Sequence, residues 1–171
     1  MKNSFLASVA ALVLSTYIIS APPVHAASKG ALATFEGQII DLSTGWGEAK
    51  ACTTDGTTTQ CFRSEAEMTA ATSTNVSAMS TACTPSVMLY SGTYFSGLSL
   101  RLNLSNVLYK LSTFNFDNVT SSFGIGYCDA HFYDGLSSFT AEYPGSTVAY
   151  ASAAVMAAGW DNRISSVFIV P

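Results

Sequence analysis

The sequence predicts an all-β protein in which two Greek-key motifs form a sandwich, preceded by a small disulfide-linked hairpin and a short helix. The main observation is a pattern that occurs twice: an aromatic residue, Asp-Asn, two variable positions and Ser-Ser begin at Phe116 and again at Trp160. Such a repeat at a spacing of 44 residues indicates a duplicated supersecondary unit. Residues 98–104 alternate leucine with polar side chains, which is typical of a strand with one face in a core.

Each copy of the pattern precedes a run of residues that favours β structure, at 123–125 and at 167–170. We predict that these runs are the last strand of each unit, with Gly, Asn, Asp and Ser forming the turns between strands. Two four-stranded units of roughly 40 residues then fit a pair of Greek keys packed as a β-sandwich. The first unit is placed at about residues 86–126 and the second at about 127–171.

The second half of the chain resembles the βγ-crystallin family. Tyr90, Phe95 and Gly97 have the spacing of the family's Greek-key hairpin: an aromatic, four residues, an aromatic, one residue and a glycine. The two Asp-Asn-x-x-Ser-Ser segments are similar to the double-Asx, double-Ser calcium motif of the family's microbial members. The resemblance covers about residues 84–171 and implies a βγ-crystallin-like domain there.

The second unit departs from the family pattern at two positions. The interval from Tyr133 to Phe139 is one residue longer than in the first unit, and Ala141 stands where the family has a glycine in a strained conformation. Because an alanine with a positive φ angle costs stability, we expect the second hairpin to differ locally from the first.

The resemblance implies two calcium sites. Calcium takes oxygen ligands from carboxylates, amides, hydroxyls and backbone carbonyls, and each six-residue motif supplies all four kinds. The residues assigned to the sites are Ser91, Asp117, Asn118, Val119 and Ser121, together with Asp134, Asp161, Asn162, Arg163 and Ser165. The amides of Asn118 and Asn162 and the hydroxyls of Ser121 and Ser165 are the side-chain ligands, and Ser91, Val119, Asp134 and Arg163 contribute backbone carbonyls. Because few of these ligands are charged, the expected Kd is on the order of 10⁻⁵ to 10⁻³ M.

A plainer interpretation of the same motifs is turn chemistry. Asp, Asn and Ser side chains also cap turns by accepting hydrogen bonds from nearby amides, without any metal. Arg163, at the first variable position of the second motif, brings a positive side chain close to the second site, which opposes a cation there. Asn118 also begins a glycosylation sequon, and a sugar on it would abolish the first site.

The chain begins with the features of a secretory signal peptide. Lys2 precedes an apolar run over 5–19, and the small-residue site 24–26 predicts cleavage after Ala26. The run is shorter than the roughly 20 residues that a membrane-spanning helix needs. We therefore expect a secreted protein, extracellular or periplasmic, without a membrane anchor.

Four cysteines follow the signal: Cys52, Cys61, Cys83 and Cys128. In an exported protein they form two disulfides by default, with three possible connectivities. We favour Cys52 with Cys61, since a hairpin with a four-residue loop at 55–58 sets these two cysteines opposite each other. This pairing leaves Cys83 with Cys128.

Residues 27–83 are predicted to form an N-terminal extension. It contains one kinked strand or a strand pair at 35–42, the cysteine hairpin, a helix from Ser64 to about Ala71 and a linker. Ser64 and Glu67 form a capping box at the start of that helix. The extension looks like the one that precedes βγ-crystallin-like domains in some secreted bacterial proteins, including proteinase inhibitors. We expect it to cover a sheet edge.

Composition and the absence of certain motifs argue against two classes of function, nucleic-acid binding and catalysis. The formal charge of −4 argues against nucleic-acid binding, because phosphate contacts are supplied by Lys and Arg. After signal removal His131 is the only histidine, and no nucleotide-binding fingerprint is present, so we predict that the chain is not an enzyme.

Three functional hypotheses follow. The first is a secreted, monomeric, calcium-binding structural or binding module. The alternative is an inhibitor of extracellular proteinases, for which Thr93-Tyr94 and residues 146–152 are the candidate reactive loops. A toxin that acts on competing microbes is a third hypothesis, which the sequence neither supports nor excludes.

Overall fold

The structure is a computed structural model that describes residues 30–73 and 86–170. The strands of these two segments are β1 (Leu32–Phe35), β2 (Gln38–Asp41), β3 (Ala51–Thr54), β4 (Thr59–Phe62), β5 (Val87–Gly92), β6 (Ser96–Leu102), β7 (Leu108–Lys110), β8 (Ser122–Ile125), β9 (Ala130–Tyr133), β10 (Ser152–Ala153) and β11 (Ser166–Ile169). The helix α1 covers Glu65–Ser73, and two 3-10 helices cover Leu42–Thr44 and Leu111–Phe114. The predicted signal peptide, Cys83 and most of the predicted linker lie outside the described residues.

The strands form two sheets, and each Greek key contributes one strand to the sheet of the other Greek key. Sheet I has the order β10-β8-β5-β6-β3-β4-β1-β2, and sheet II has the order β7-β11-β9. The first unit contributes β5, β6 and β8 to sheet I, but its third strand, β7, pairs with β11 of the second unit. In return β10 of the second unit pairs with β8 of the first. The prediction of two Greek keys in a sandwich is confirmed.

The core between the sheets is aromatic at its centre. Phe123 of sheet I contacts Phe132 of sheet II edge to face at 4.8 Å between ring centroids, and Tyr143 lies 5.5 Å from Phe123. Leu100 and Leu102 on β6 have no exposed surface, as the alternation of leucines predicts. The alternation ends with the strand, because Leu104 lies beyond β6 and is 43% exposed.

The N-terminal extension continues sheet I and covers its edge, as expected. β3 pairs in parallel with β6, so the edge of the Greek-key sheet is hydrogen-bonded rather than open. On the outer face Met68 of α1 is fully buried in a small cluster with Ala51 and Phe62. Trp46 reaches the main core, where its indole Nε1 donates to the carbonyl of Phe114 at 2.7 Å.

The elements of the extension follow their sequence signals closely. Residues 32–41 form a strand pair, the second of the two predicted alternatives. Asp55 stabilises the predicted hairpin loop, because its carboxylate accepts hydrogen bonds from the amides and hydroxyls of Thr57 and Thr58. The same hydrogen bonds keep the pKa of Asp55 well below its usual range. At the helix start the amide of Glu67 donates to Ser64 Oγ at 3.2 Å. The Glu67 carboxylate accepts from the amide of Arg63 at 3.0 Å, one residue earlier than a standard capping box predicts.

The second Greek key is less regular than the predicted four strands. Between β9 and β10 its second strand is reduced to a single bridge between Tyr133 and Glu142. Gly97 in the first hairpin has a φ angle of +84°, whereas Ala141 is not among the residues with positive φ. The alanine thus avoids the strained conformation, and it lies in the hairpin whose strand pairing is reduced to this bridge.

The disulfide between Cys52 and Cys61 is confirmed. The two residues are directly opposite each other on β3 and β4, with a Cα–Cα distance of 4.0 Å. Cys128 is also disulfide-bonded. Its predicted partner, Cys83, is outside the described residues, so that pairing stays a prediction.

We expect the Cys52→Ala/Cys61→Ala variant to be destabilised by about 2.5 kcal/mol, because the bridge closes a chain separation of 9 residues in the unfolded state. Urea unfolding of the variant and the oxidised parent protein measures this difference. Equal midpoints would show that pairing of β3 with β4 and β6 holds the extension without the bridge.

Candidate metal centre

The two Asp-Asn-x-x-Ser-Ser segments face each other and exchange backbone hydrogen bonds. The amide of Asn118 donates to the carbonyl of Ile164, and the amide of Asn162 donates to the carbonyl of Thr120, both at 3.0 Å. Asn118 and Asn162 have left-handed φ angles of +56° and +54°, which asparagine tolerates better than most residues. The local backbone thus explains asparagine at these positions, and the matched hydrogen bonds relate the motifs by an approximate two-fold axis.

The side chains are paired between the motifs. Ser121 Oγ lies 3.2 Å from Oδ1 of Asn162, and Ser165 Oγ lies 3.3 Å from Oδ1 of Asn118. The sequence grouped each amide with the hydroxyl of its own motif. The structure instead brings each amide to the hydroxyl of the other motif, because the two segments cross at the two-fold axis.

The spacing of these oxygens suits a shared cation better than a strong hydrogen bond. An O–H···O hydrogen bond is usually about 2.7 to 2.8 Å long, shorter than the distances in either pair. Two oxygens that each lie about 2.4 Å from one calcium ion, at about 85° to each other, are about 3.2 Å apart. Each Ser–Asn pair can therefore supply two neighbouring ligands without rearrangement.

The second serine of each motif forms a hydrogen bond to a hairpin carbonyl instead of contacting the other motif. Ser122 Oγ donates to the carbonyl of Gly92 and Ser166 Oγ donates to the carbonyl of Gly135, each at 2.6 Å. Neither serine has exposed surface. These short bonds attach each hairpin to its own motif, so the second serine is a structural residue. Its recurrence was visible in the sequence, but its partner was not.

The hairpins bring the predicted carbonyl ligands beside the serines. The amide of Ser121 donates to the carbonyl of Tyr90, and the amide of Ser165 donates to the carbonyl of Tyr133, both at 2.8 Å. Ser91 and Asp134 follow those tyrosines in the chain.

We call the first arrangement the Ser121 site: it combines Ser121 and Asn162 with the neighbouring backbone of Ser91 and Arg163. The second arrangement is the Ser165 site: it combines Ser165 and Asn118 with the neighbouring backbone of Asp134 and Val119.

The positive charge of Arg163 is paired within the protein. Its Nη2 lies 2.7 Å from Oδ2 of Asp134, and its guanidinium lies 4.8 Å from the ring centroid of Trp160. This ion pair is partly exposed and offsets the repulsion that the sequence predicted between the arginine and a cation.

The two motif aspartates differ in environment. Oδ1 of Asp117 is buried and has no hydrogen-bond partner, whereas Asp161 is exposed and its Oδ2 accepts a long 3.4 Å bond from the side-chain Nδ2 of Asn162. A buried carboxylate oxygen without a hydrogen-bond partner is costly and would be stabilised by a nearby cation; this one belongs to the residue that precedes Asn118.

The donor chemistry also fits calcium. Over residues 30–73 and 86–170 no group of three or more His, Cys, Asp and Glu side chains could hold a metal, so candidate ligands are amide, hydroxyl and carbonyl oxygens. Such hard oxygen donors suit calcium, whereas zinc prefers nitrogen and sulfur.

His131 is not among the residues of either site. Its Nδ1 is 2.5 Å from Oε1 of Glu142, and both side chains are nearly half exposed. In the described parts of the chain no serine or threonine hydroxyl forms a hydrogen bond with its ring. The absence of enzymatic activity stays a prediction. No helix in these parts is long and apolar enough to cross a membrane.

Comparison with solved structures finds βγ-crystallin domains. A βγ-crystallin from Ciona intestinalis is 18% identical with a TM-score of 0.42, covering 49% of this chain and 98% of its own. A domain from Clostridium beijerinckii is 16% identical with a TM-score of 0.41, covering 50% and 97%. A domain from Flavobacterium johnsoniae is 21% identical with a TM-score of 0.38, covering 49% and 92%. No family model and no curated protein matches the chain.

The two Greek keys with their exchanged strands and paired motifs give the second half of the chain a βγ-crystallin-like fold.

The two serines of the first motif should respond differently to mutation in EDTA. Ser122→Ala removes a hydroxyl that donates to Gly92 and accepts from the amide of Phe95, and should cost roughly 2 to 4 kcal/mol. Ser121→Ala removes only the long contact with Asn162 and should cost about 1 kcal/mol or less. Urea unfolding compares the two variants. Equal losses would contradict the division between a structural serine and a ligand serine.

Proposed function

We propose that the protein is a secreted calcium-binding structural module of the βγ-crystallin type, with one ion at each Ser–Asn pair. The observation that carries the proposal is the pairing of the motifs at 3.2 and 3.3 Å, which places two oxygens at ligand spacing in each site. The buried, unpaired Oδ1 of Asp117 supports it.

Calcium at these positions would act as a cross-link between the Greek keys. Each ion would hold a hydroxyl from one motif and an amide from the other, next to the hairpin that the second serine attaches. Because the ligands assemble only in the folded chain, binding free energy adds to the free energy of unfolding. Sites of modest affinity would be filled outside a cell, where calcium is abundant.

We expect calcium to raise the melting temperature of the mature, oxidised protein. With a Kd near 10⁻⁴ M, 10 mM calcium adds about 2.7 kcal/mol per site, which corresponds to roughly 5 to 10 °C. Calorimetry in EDTA, in calcium and in magnesium measures the effect. If calcium gives no shift beyond that of magnesium, the motifs serve only as turns.

The pairing between motifs predicts which double variants keep a site. Ser121→Ala/Asn162→Gly should keep one calcium ion, because both changes fall in the Ser121 site. Its matched control, Ser121→Ala/Asn118→Gly, should lose both ions. Glycine is used because both asparagines have positive φ angles. Isothermal titration calorimetry gives the stoichiometry, and the reverse result would mean that each motif forms its site alone.

Proteinase inhibition is a second candidate function, favoured by one contact. The amide of Tyr94 in the first candidate loop donates at 2.6 Å to the carbonyl of Ala154, two residues after the end of the second candidate loop. Tyr94 and Tyr150 are 74% and 71% exposed and both have positive φ angles. A loop pair held in this way would present rigid aromatic side chains to a partner. Assays against metallo- and serine proteinases test it, and no inhibition at micromolar protein would refute it.

A further inference from the structure

The second aromatic residue of the hairpin is packed in the first Greek key and exposed in the second. In the first hairpin the ring of Phe95 packs edge to face on Tyr90, with 5.6 Å between centroids. In the second hairpin the residue after Ser138, Phe139, is 96% exposed. The extra residue in this hairpin therefore turns the aromatic ring away from Tyr133.

A cavity lies beside Tyr133, where this ring is missing. Its volume is about 380 Å³, and its lining residues are Leu108, His131, Tyr133, Ser138 and Phe168. Leu108, Phe168 and His131 are direct neighbours across β7, β11 and β9, so they form one row on sheet II. The cavity has the size of a small-ligand pocket and an apolar floor with polar groups at its border.

The corresponding face of sheet I is closed by the protein itself. Tyr90, the counterpart of Tyr133, donates its hydroxyl to Glu65 of α1 at 3.1 Å, and burial followed by the Glu65 charge raises the pKa of Tyr90 to about 12. Met88, the counterpart of His131, packs against the cluster that contains Met68 of α1. The only α-helix in the described residues is α1, which contacts β3 and β4 of sheet I.

We propose that this cavity is a binding site for one aromatic ring that carries a hydroxyl group, as in a small phenolic compound. Phe168, Leu108 and the edge of Tyr133 offer the apolar and aromatic contacts that such a ring prefers.

Two polar groups at the cavity select the hydroxyl substituent. Oε1 of Glu142 lies 2.5 Å from Nδ1 of His131, so Nε2 is the ring nitrogen that remains for a ligand. A phenolic hydroxyl can both donate to this nitrogen and accept from it. The hydroxyl of Ser138 also lines the cavity. This site shares no residue with the calcium sites, so a test of one proposal does not decide the other.

The test uses 4-fluorophenol as the probe and ¹⁹F NMR line broadening of the full mature protein as the readout. We expect saturable binding with a Kd on the order of 1 mM, as suits a ligand of so few atoms. Ser138→Phe should weaken it at least tenfold, because the new ring fills the cavity. Ser112→Phe adds the same ring at an exposed position and should leave binding unchanged.

The Phe139→Ala variant tests whether the cavity binds an external ligand or is filled in solution by the ring of Phe139. If the cavity serves an external ring, the variant should bind the probe as the parent does. Binding by the variant alone would overturn the proposal, since Phe139 would then occupy the cavity in solution. Absence of binding by both proteins, or binding that Ser138→Phe leaves unchanged, would overturn it as well.

Discussion

The exchange between the two Greek keys is the constraint on which the rest of the structure depends. β7 and β10 each pair in the sheet of the other unit, and the two arches donate amide protons to each other at Asn118 and Asn162. Neither unit can complete its sheet or its arch alone. The core aromatics Phe123 and Phe132 are in contact where the two sheets face each other.

The same exchange creates the candidate metal sites. A six-residue segment rich in Asp, Asn and Ser has many oxygens, and its backbone amides donate to carbonyls of the other segment and of the hairpins. Crossing the segments places one amide oxygen and one hydroxyl at 3.2 to 3.3 Å, while the short 2.6 Å bonds of Ser122 and Ser166 fix the surrounding backbone. The first serine of each motif thus contributes to the candidate ligand geometry, and the second serine stabilises the fold.

The duplicated units have diverged on their outer faces. Sheet I is lengthened by the extension and covered by α1, whose Met68 is fully buried. Sheet II keeps an open cavity, because its longer hairpin directs Phe139 into solvent and leaves Tyr133 without a second ring. The two units thus share the geometry of the paired motifs and differ on their outer faces.

The sequence by itself determined the features that depend on local pattern or on the repeat. These include the terminal strands, the hairpin with opposed Cys52 and Cys61, the start of α1 and the residues of the two motifs. The tertiary structure alone decided which motif's serine meets which asparagine, that Arg163 pairs with Asp134, and that Ala141 avoids positive φ. Those outcomes depend on how distant segments cross in space, and local propensity carries no information about that crossing.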